Sequence, residues 1–579
     1  MELLIRDATV FDGEGGPPQT RDVLVRDGVI ERIAPCGELA FDGETVNAHG
    51  LWLTPGFIDL HTHYDAEIEI GPALPESLRH GVTSVLLGSC GLSMAVGRPV
   101  DLADMFCRVE GIPRSVVLPL FERIKDWEDP VAYLDHLEQL PLGPNVGALL
   151  GHSAVRAHVL GIGRALDHAV RPTEDELQAM ERMVEQSLDA GFVGLSINTL
   201  PWDKMDGDDY RSRPTPSVFA RWSEYARLAA VLRRRGRVFQ GVPNLSTRIN
   251  IFRFFWETIS RPLFRRPLRT MLLTLADAGA DRTAVHLVRF LSSIVNRVLG
   301  GDLRWQALPH EFDLWSDGLD VPIIEELGTG TEALHLTDPA ERAALLRDPA
   351  FRRRWKRQWR IPIAKAWHRN LKEARVVSCP DAALNGRTFA DVAAERGTTP
   401  LDTFLDLNAE HGDALRWYTV AANDRPRVLE TIVSSPHALI GFSDAGAHLR
   451  NMGFYNFPLR MLRRVRDAER AGRPFMTVGR AVQRLTSEIA DWLDLPAGRL
   501  REGAPADLVL IDPERLDDAV EALHEEEMPG FPGLFRLVRR NDATVPLVLV
   551  GGTVAWRDGA FAPPVGDRRL GRVLRSTRS

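Results

Sequence analysis

Two histidines separated by one residue, His61 and His63, are the feature that most constrains the fold of this chain. They follow the apolar run that begins at Pro55-Gly56 and ends at Leu60. In a β-strand, residues i and i+2 point to the same face, so both imidazoles can bind one metal ion. An isolated His-x-His more often ends a strand without such a role, so its meaning depends on the rest of the chain.

Two further apolar runs end in groups that also bind metals. Residues 82–87 have the nearly continuous apolar character of a strand buried on both faces, and they lead into Gly-Ser-Cys-Gly with Cys90. Residues 438–442 lead in the same way to Asp444 and His448. Imidazole, thiolate and carboxylate all bind divalent metals, so the three strand ends together predict a site for one or two ions.

Four segments of the chain together resemble the amidohydrolase superfamily, and most closely its D-aminoacylase branch of N-acyl-D-amino-acid deacylases. In chain order they read PGFIDLHTHYD, HGVTSVLLGSCG, LIGFSDAGAH and REGAPADLVLID. The resemblance extends over nearly the whole chain. It implies an α/β fold, a TIM (β/α)8 barrel with a small β-sandwich formed from both termini. The sandwich would comprise residues 1–53 and 490–579, and the barrel residues 54–489 with an inserted segment near 245–375.

Local sequence patterns favour the same architecture. Strand-like runs alternate with helical patterns, as expected for a parallel barrel. The Asp27-Gly28 dipeptide predicts a hairpin, and the sequence from Thr173 to Glu176 predicts a capping box. Barrel active sites lie at the C-terminal ends of the strands. Five candidate residues fall at such ends: His61, Cys90, His152, Gln240 and Asp444.

The chemistry of an amide hydrolase assigns roles to these residues. His61, His63, Cys90 and Asp444 are predicted to bind a divalent metal, with zinc as the expected ion. Asp444 also fits the catalytic general base, which is the role that the resemblance implies for the matching aspartate. A small buried apolar side chain is the alternative for Cys90, and a turn-forming aspartate is the alternative for Asp444.

The sequence departs from the family where a second metal would bind. The resemblance implies two more histidines, from the fifth and sixth strands. The corresponding segments contain Gln240 and Asp277 and no histidine. We therefore expect one tightly held ion, with a second site in doubt. Lys204 lies near the place of a carbamylated lysine in other amidohydrolases, but the thiolate of Cys90 would make that role unnecessary.

Four residues are candidates for binding the substrate: His152, Arg156, Gln240 and His448. The segment Gly151–Arg156 resembles the G-H-x-x-x-R segment of the branch. Arg156 could bind a substrate carboxylate through two parallel hydrogen bonds, and His152 could orient the carbonyl. A surface arginine at the start of a helix is the alternative for Arg156.

Residues 245–375 are the least readable part of the chain. Residues 251–256 and 287–299 are very apolar, and five tryptophans follow between positions 305 and 367. Packing in a helical core is the favoured interpretation. The alternative is an insertion at the barrel mouth that lines an acyl pocket or a contact between copies of the chain in a homo-oligomer.

Composition excludes several classes of protein. The net charge of −8 over 579 residues gives no reason to expect a nucleic-acid partner. Four cysteines in so long a chain do not form a disulfide framework. The N-terminus lacks a signal-peptide pattern, and no apolar run is long enough to span a bilayer. A cytoplasmic location is therefore expected, where a cysteine stays reduced.

These observations predict a metal-dependent hydrolase that cleaves the linear amide bond of an N-acyl amino acid, in the D-form. Its products would be a carboxylate and a free amino acid. A cyclic-amide hydrolase of the dihydroorotase or hydantoinase type is one alternative. A catalytically silent barrel that acts as a binding or assembly protein is the other, because the strand-five and strand-six histidines are missing.

Overall fold

Eight parallel strands form a closed barrel. The computed structural model describes residues 2–244, 247, 250–261, 263, 265–361, 365, 367–563 and 565–577. We number the barrel strands in chain order as β1 (Phe57–Asp59 and His61–Thr62), β2 (Val82–Leu87), β3 (Asn145–Gly151), β4 (Gly194–Asn198), β5 (Val238–Val242), β6 (Arg269–Leu272), β7 (Asp302–Gln306) and β8 (Ala438–Leu439 and Phe442–Ala445). Neighbours in sequence are neighbours in the sheet. Phe442 of β8 pairs with His61 of β1 and closes the barrel. The predicted TIM barrel is thereby confirmed.

Helices surround the barrel strands and also form much of the long connection between β7 and β8. Those of eight or more residues span Pro99–Phe106, Arg114–Ile124, Pro130–Leu137, His152–Leu160, Glu174–Ala190, Trp222–Arg235, Asn250–Thr258, Ala284–Ser293, Gly328–His335, Pro339–Arg347, Pro349–Trp359, Phe389–Arg396, Pro400–His411, Pro426–Val433, Phe457–Arg470 and Val478–Leu485. The predicted capping box is present, because Thr173 accepts the amide of Glu176 while the Glu176 carboxylate accepts the amide of Thr173. No helix among the described residues is both long and apolar enough to cross a membrane.

The barrel interior is apolar, and a helix closes it at the N-terminal ends of the strands. Every residue of β2 and β3 is buried, as expected for strands covered on both faces. Leu86, Leu149 and Met271 from three strands belong to one inner core with Ile489 and Trp492 of the helix Ser487–Leu493. This helix therefore packs into the barrel at the N-terminal ends of the strands, which leaves the C-terminal ends for chemistry.

The predicted insertion near 245–375 needs correction, because this range contains two barrel strands. β6 begins at Arg269 and β7 at Asp302, and the sequence analysis recognised no strand at β7. The long excursion instead lies between β7 and β8. It contains a three-stranded antiparallel sheet (Phe312–Asp317, Arg375–Ser378 and Arg416–Ala422) and has a separate apolar core. Five residues of alternating character are too short a signal to distinguish β7 from its apolar surroundings.

Core packing, the favoured interpretation of this range, holds for one part of it and fails for another. Trp355 and Trp367 are buried in the second core, so for these side chains the interpretation is confirmed. It is wrong for Phe252 and Phe290, whose side chains are 55% and 63% exposed. Helical spacing alone could not separate the two cases because these helices are apolar on more than one face.

Both ends of the chain join in one nine-stranded sheet. Its strands are Glu2–Val10, Gln19–Arg26, Val29–Ala34, Glu44–Asn47, Trp52–Pro55, Leu508–Ile511, Leu547–Val550, Thr553–Arg557 and Ala560–Phe561. The turn at Asp27-Gly28 joins two of them as an antiparallel hairpin. Trp52–Pro55 pairs with Leu508–Ile511, which links the two termini directly. The domain boundaries at residues 53 and 490 stay a prediction.

Asp507 of the segment Ala506-Asp507-Leu508-Val509 ties this sheet to the barrel. Its carboxylate accepts the side-chain amide of Asn145, on β3, at 2.9 Å and the backbone amide of Gly551 at 2.7 Å. Burial raises the pKa of this carboxyl above its ordinary value, although both hydrogen bonds oppose that shift. Asp507 of this motif therefore has a structural role, which does not depend on chemistry at the C-terminal ends of the barrel strands.

We expect Asp507→Ala to destabilise the junction by about 2–3 kcal/mol, because two donors lose their buried acceptor. Amide hydrogen exchange of Leu508–Ile511 should accelerate and the midpoint of thermal unfolding should fall. Asp517→Ala, which removes an exposed cap, is the matched control and should change both far less. Unchanged exchange in Asp507→Ala would contradict the assigned role.

Candidate metal centre

Barrel closure brings three strand ends together around one point. The donor atoms of His61, His63 and Cys90 all lie within 4.8 Å of one another, and the three side chains are buried. The Sγ of Cys90 is 3.4 Å from Nε2 of His61. Oδ1 of Asp444, from β8, is 3.4 Å from Nε2 of His61 and 3.4 Å from Nε2 of His63. The structure therefore unites the four residues that we predicted as metal ligands.

Unusual backbone conformations aim two of these side chains. Cys90 lies in the short 3₁₀ turn Ser89–Gly91 with φ of 54°, and Asp444 has φ of 58°. Non-glycine residues rarely adopt this left-handed region, and such strain concentrates at functional sites. Gly88, with φ of +79°, precedes the Cys90 turn, and a Cβ atom there would lie 2.0 Å from the carbonyl oxygen of Leu149. Glycine is thus required where β2 passes into the turn.

Two glutamines accept hydrogen bonds from residues of the cluster and thereby fix their orientation. Nδ1 of His61 donates to Oε1 of Gln306, at the end of β7, over 2.6 Å. This bond fixes the tautomer whose Nε2 carries the free lone pair, as partners of metal-bound histidines usually do. Oε1 of Gln240, on β5, accepts the backbone amide of Cys90 at 3.3 Å. Gln240 therefore lies at the site, while its predicted contact with substrate stays a prediction.

The electrostatics of the cluster suit a cation. Burial lowers the pKa of His63 to about 3, so its imidazole is neutral and able to act as a ligand. Burial alone would raise the pKa of Asp444, but the side chains of His61 and His63 beside its Oδ1 hold that pKa below its ordinary value. Burial also raises the pKa of the Cys90 thiol, a cost that a bound metal ion offsets by stabilising the thiolate.

This donor set fits one divalent ion better than two. Two imidazoles, one thiol and one carboxylate match the nitrogen, sulfur and oxygen ligands of zinc. A second ion would need donors at the ends of β5 and β6. There the chain has Gln240, already bonded to Cys90, and Leu272 followed by Leu273. A carboxamide and aliphatic groups are weak substitutes for imidazole.

His152 and Arg156 lie in a separate buried network. His152 Nε2 donates to Glu224 at 2.9 Å, and the Arg156 guanidinium donates to the other oxygen of Glu224. Both side chains are fully buried. The alternative of a surface arginine is therefore wrong for Arg156. Glu224 balances the charge of Arg156 within the protein, which favours a structural role for this arginine. Substrate binding by His152 or Arg156 stays a prediction, and these contacts do not support it.

A charged cleft is lined by two residues, Asp203 and His448, that interact electrostatically with Asp444. Its free volume is about 100 Å³, and its lining includes His448, Asp203 and Lys204. Two cations of the lining are already paired, Arg108 with Glu325 and Arg450 with Asp317. Among the described residues, Lys204 has no ion-pair partner, and burial lowers its pKa. His448 thus borders the cleft, and its contact with substrate stays a prediction.

Sequence reasoning missed two polar residues of the site. Gln306 carried no signal because its strand was not recognised. Asp203 follows β4, accepts the side-chain amide of Asn198, and lies close enough to Asp444 for that carboxylate to raise its pKa; burial is the larger cause, and together they raise it to about 6. In the segment Trp202-Asp203-Lys204, the position of Lys204 was the only feature that indicated a place near the site.

Comparison with known proteins agrees with this geometry. No family model matches the chain. An uncharacterized protein of Mycobacterium tuberculosis (strain ATCC 25618 / H37Rv) is 46% identical over 585 residues, which cover 99% of this chain and 96% of the relative. An N-acyl-D-aspartate deacylase of Alcaligenes xylosoxydans xylosoxydans is 34% identical over 207 residues, or 34% of this chain and 36% of the enzyme.

Among solved structures, an N-acyl-D-glutamate deacylase of Bordetella bronchiseptica covers 99% of both chains with a TM-score of 0.62 and 22% identity. That enzyme was complexed with zinc and a phosphonate inhibitor that mimics the tetrahedral intermediate. Over about a third of its length, the chain is thus similar in sequence to deacylases of the D-aminoacylase branch of the amidohydrolase superfamily, and over nearly all of its length it shares their fold. The strand ends of this chain present the His-x-His pair, a cysteine and an aspartate, and the end of β5 presents Gln240.

We expect Gly88→Ala to disrupt the metal centre of this D-aminoacylase relative, because the new Cβ must displace β3 or the Cys90 turn. Metal content per chain, measured by elemental analysis, should fall well below that of the wild type. Gly503→Ala is the matched control, since Gly503 has the same φ of +79° and open space around it. It should lose about 1 kcal/mol of stability and no metal. Equal metal content in both variants would contradict the prediction.

Proposed function

We propose that this chain is a metal-dependent hydrolase that cleaves the linear amide bond of an N-acyl-D-amino acid. One observation supports the proposal above all others: the buried cluster of His61, His63 and Cys90 with Asp444 at 3.4 Å from both imidazoles. A silent barrel has no need for four such groups at one point. The D-configuration is inferred from the deacylase relatives, and a cytoplasmic location stays a prediction.

The residues of the cluster would hold one divalent ion, with zinc as the proposed metal. When bound, such an ion supplies Lewis acidity that polarises the amide carbonyl and lowers the pKa of water. Gln306 keeps the His61 ring in the ligand tautomer, and Gln240 holds the backbone of Cys90. The burial of the three ligands excludes bulk water, which strengthens every charge interaction in the site.

Asp444 is the residue that would move the proton. Its low pKa keeps it ionised, and its Oδ1 faces both imidazoles, so it can accept the proton of the attacking water. The hydroxyl then forms the new bond to the carbonyl carbon. Asp444 returns the proton to the nitrogen as the carbon–nitrogen bond breaks, which yields a carboxylate and a free amine.

Lys204 is the residue of the cleft that would bind a substrate carboxylate, although Asp203 and Asp320 also line the cleft. Lys204 is the cation of the cleft that the protein leaves unpaired among the described residues, and it lies in sequence next to Asp203. A free amino acid carboxylate would satisfy it through a charge-assisted hydrogen bond. A cyclic-amide hydrolase remains the second candidate, and product analysis separates the two, because ring opening leaves both new groups on one molecule.

Cys90→Ala should remove most of the metal and the activity. We expect near-stoichiometric divalent metal in the wild type by elemental analysis and hydrolysis of N-acetyl-D-amino acids by amine release. Cys107→Ala is the matched control, because Cys107 is also buried but its thiol faces the carbonyl of Ala103. A wild type that binds no metal even after reconstitution would refute the proposed mechanism and favour the silent barrel.

Lys204→Met should raise KM about 10- to 100-fold with a smaller change in kcat, because a charge-assisted hydrogen bond contributes about 1.5–3 kcal/mol. The control Lys372→Met alters an exposed lysine of the long excursion and should leave both constants unchanged. A substrate amide that lacks the carboxylate should be cleaved equally by the wild type and Lys204→Met. An unchanged KM would show that Lys204 does not contact the substrate.

A further inference from the structure

One flank of the barrel exposes an unusual amount of apolar surface. Among the described residues, the five most exposed large apolar side chains are Phe252, Trp256, Leu287, Phe290 and Val298, each between 55% and 63% accessible. They lie on the helix after β5, Asn250–Thr258, and on the helix after β6, Ala284–Ser293 with its continuation to Val298. We call these five side chains the apolar flank.

The two helices of the apolar flank are joined to each other. The backbone amides of Ser260 and Arg261, just after the first helix, both donate to the carbonyl of Leu299, just after the second. Leu287, Phe290 and Val298 follow helical spacing, so they form one stripe on the outward face of the second helix. A helix that covers a barrel normally presents polar residues to water, so this stripe points to a partner.

A cationic groove runs along the same helix. It lies between the helix and the turn Ser435–His437, has a free volume of about 350 Å³, and is lined by Arg289, Arg297, His286 and His437 together with Phe290. None of its described lining residues carries a carboxylate. Burial lowers the pKa of His437, and the charges of Arg304, Arg297 and Arg289 lower it further; two of these arginines, Arg289 and Arg297, line the groove.

The charge of this flank identifies the class of partner. The whole chain has a net charge of −8, so a local cluster of arginines opposes the general trend. A second copy of the chain would bring the same arginines face to face across a two-fold axis, which like-charge repulsion disfavours. A soluble anion would fill the groove but would leave Leu287 and Val298 in water. An anionic lipid surface satisfies both features, because aromatic and aliphatic side chains enter it while arginines bind phosphate groups.

We propose that the apolar flank and its cationic groove dock the protein on the surface of an anionic lipid bilayer. Phe252, Trp256, Leu287 and Phe290 enter the headgroup and acyl boundary, while Arg289 and Arg297 bind lipid phosphates. The association is peripheral and reversible, and it depends on ionic strength because surface charge attraction is screened by salt.

Co-sedimentation with vesicles tests this proposal directly. The full chain should bind vesicles of phosphatidylcholine with one-fifth phosphatidylglycerol and not vesicles of phosphatidylcholine alone. Arg289→Gln with Arg297→Gln should weaken partitioning roughly 30-fold, since each basic residue near an anionic surface contributes about fivefold. Leu287→Ser with Phe290→Ser should weaken it at least as much; Leu287, Phe290 and Arg297 are exposed and Arg289 is half-buried, so folding should be retained.

Two matched controls keep the experiment specific. Arg353→Gln with Arg357→Gln removes two charges from the helix Pro349–Trp359 of the second core, and Val131→Ser changes an apolar side chain that is 42% exposed elsewhere. Both should bind like the wild type. Three results would overturn the proposal: no binding of the wild type to anionic vesicles, equal binding to both vesicle types, or lipid-free dimers in sedimentation velocity that Leu287→Ser with Phe290→Ser abolishes.

Discussion

The hydrogen-bonded pairing of β8 with β1 is the constraint on which the site depends. Phe442 pairs with His61, and Ala445 pairs with Thr62, so closing the barrel also sets the register between the two strands. Asp444 lies between the paired positions, which is why its carboxylate faces both imidazoles. A slip of one residue would turn Asp444 to the opposite face, so the geometry of the metal centre and the closure of the fold are one requirement.

The residues behind the predicted ligands are two glutamines. Gln306 and Gln240 each use the carbonyl oxygen of the side chain for a ligand residue, one for the ring of His61 and the other for the backbone of Cys90. The side-chain nitrogens of both glutamines have no partner among the described residues. Both amides position residues of the cluster, and at the end of β5 the amide of Gln240 stands where the resemblance implied a metal-binding imidazole.

The fold and the ligand set could be predicted from the sequence because their signals are local. His61, His63 and Cys90 lie at or just after the ends of two largely apolar strands, and a barrel brings the C-terminal ends of its strands together. Gln306 could not be predicted, because its strand is five residues long and only the register of β7 brings it to His61. Arg156 was assigned to substrate because its partner Glu224 lies 68 residues away and only packing joins them. Leu287 and Phe290 lie on a helix with apolar residues on several faces, so the pattern could not reveal which face meets water.

The joining of both termini in one sheet has a consequence for how the protein is made. Trp52–Pro55 pairs with Leu508–Ile511, a strand that leaves the ribosome about 450 residues later, or tens of seconds at ordinary rates of synthesis. During that time the N-terminal strands have an open edge whose backbone groups can pair with other chains. Nascent chains of this protein are therefore expected to need protection from aggregation until translation is nearly complete. A chain truncated before residue 508 would lack the strand that pairs with Trp52–Pro55, so this edge of the sheet would stay open.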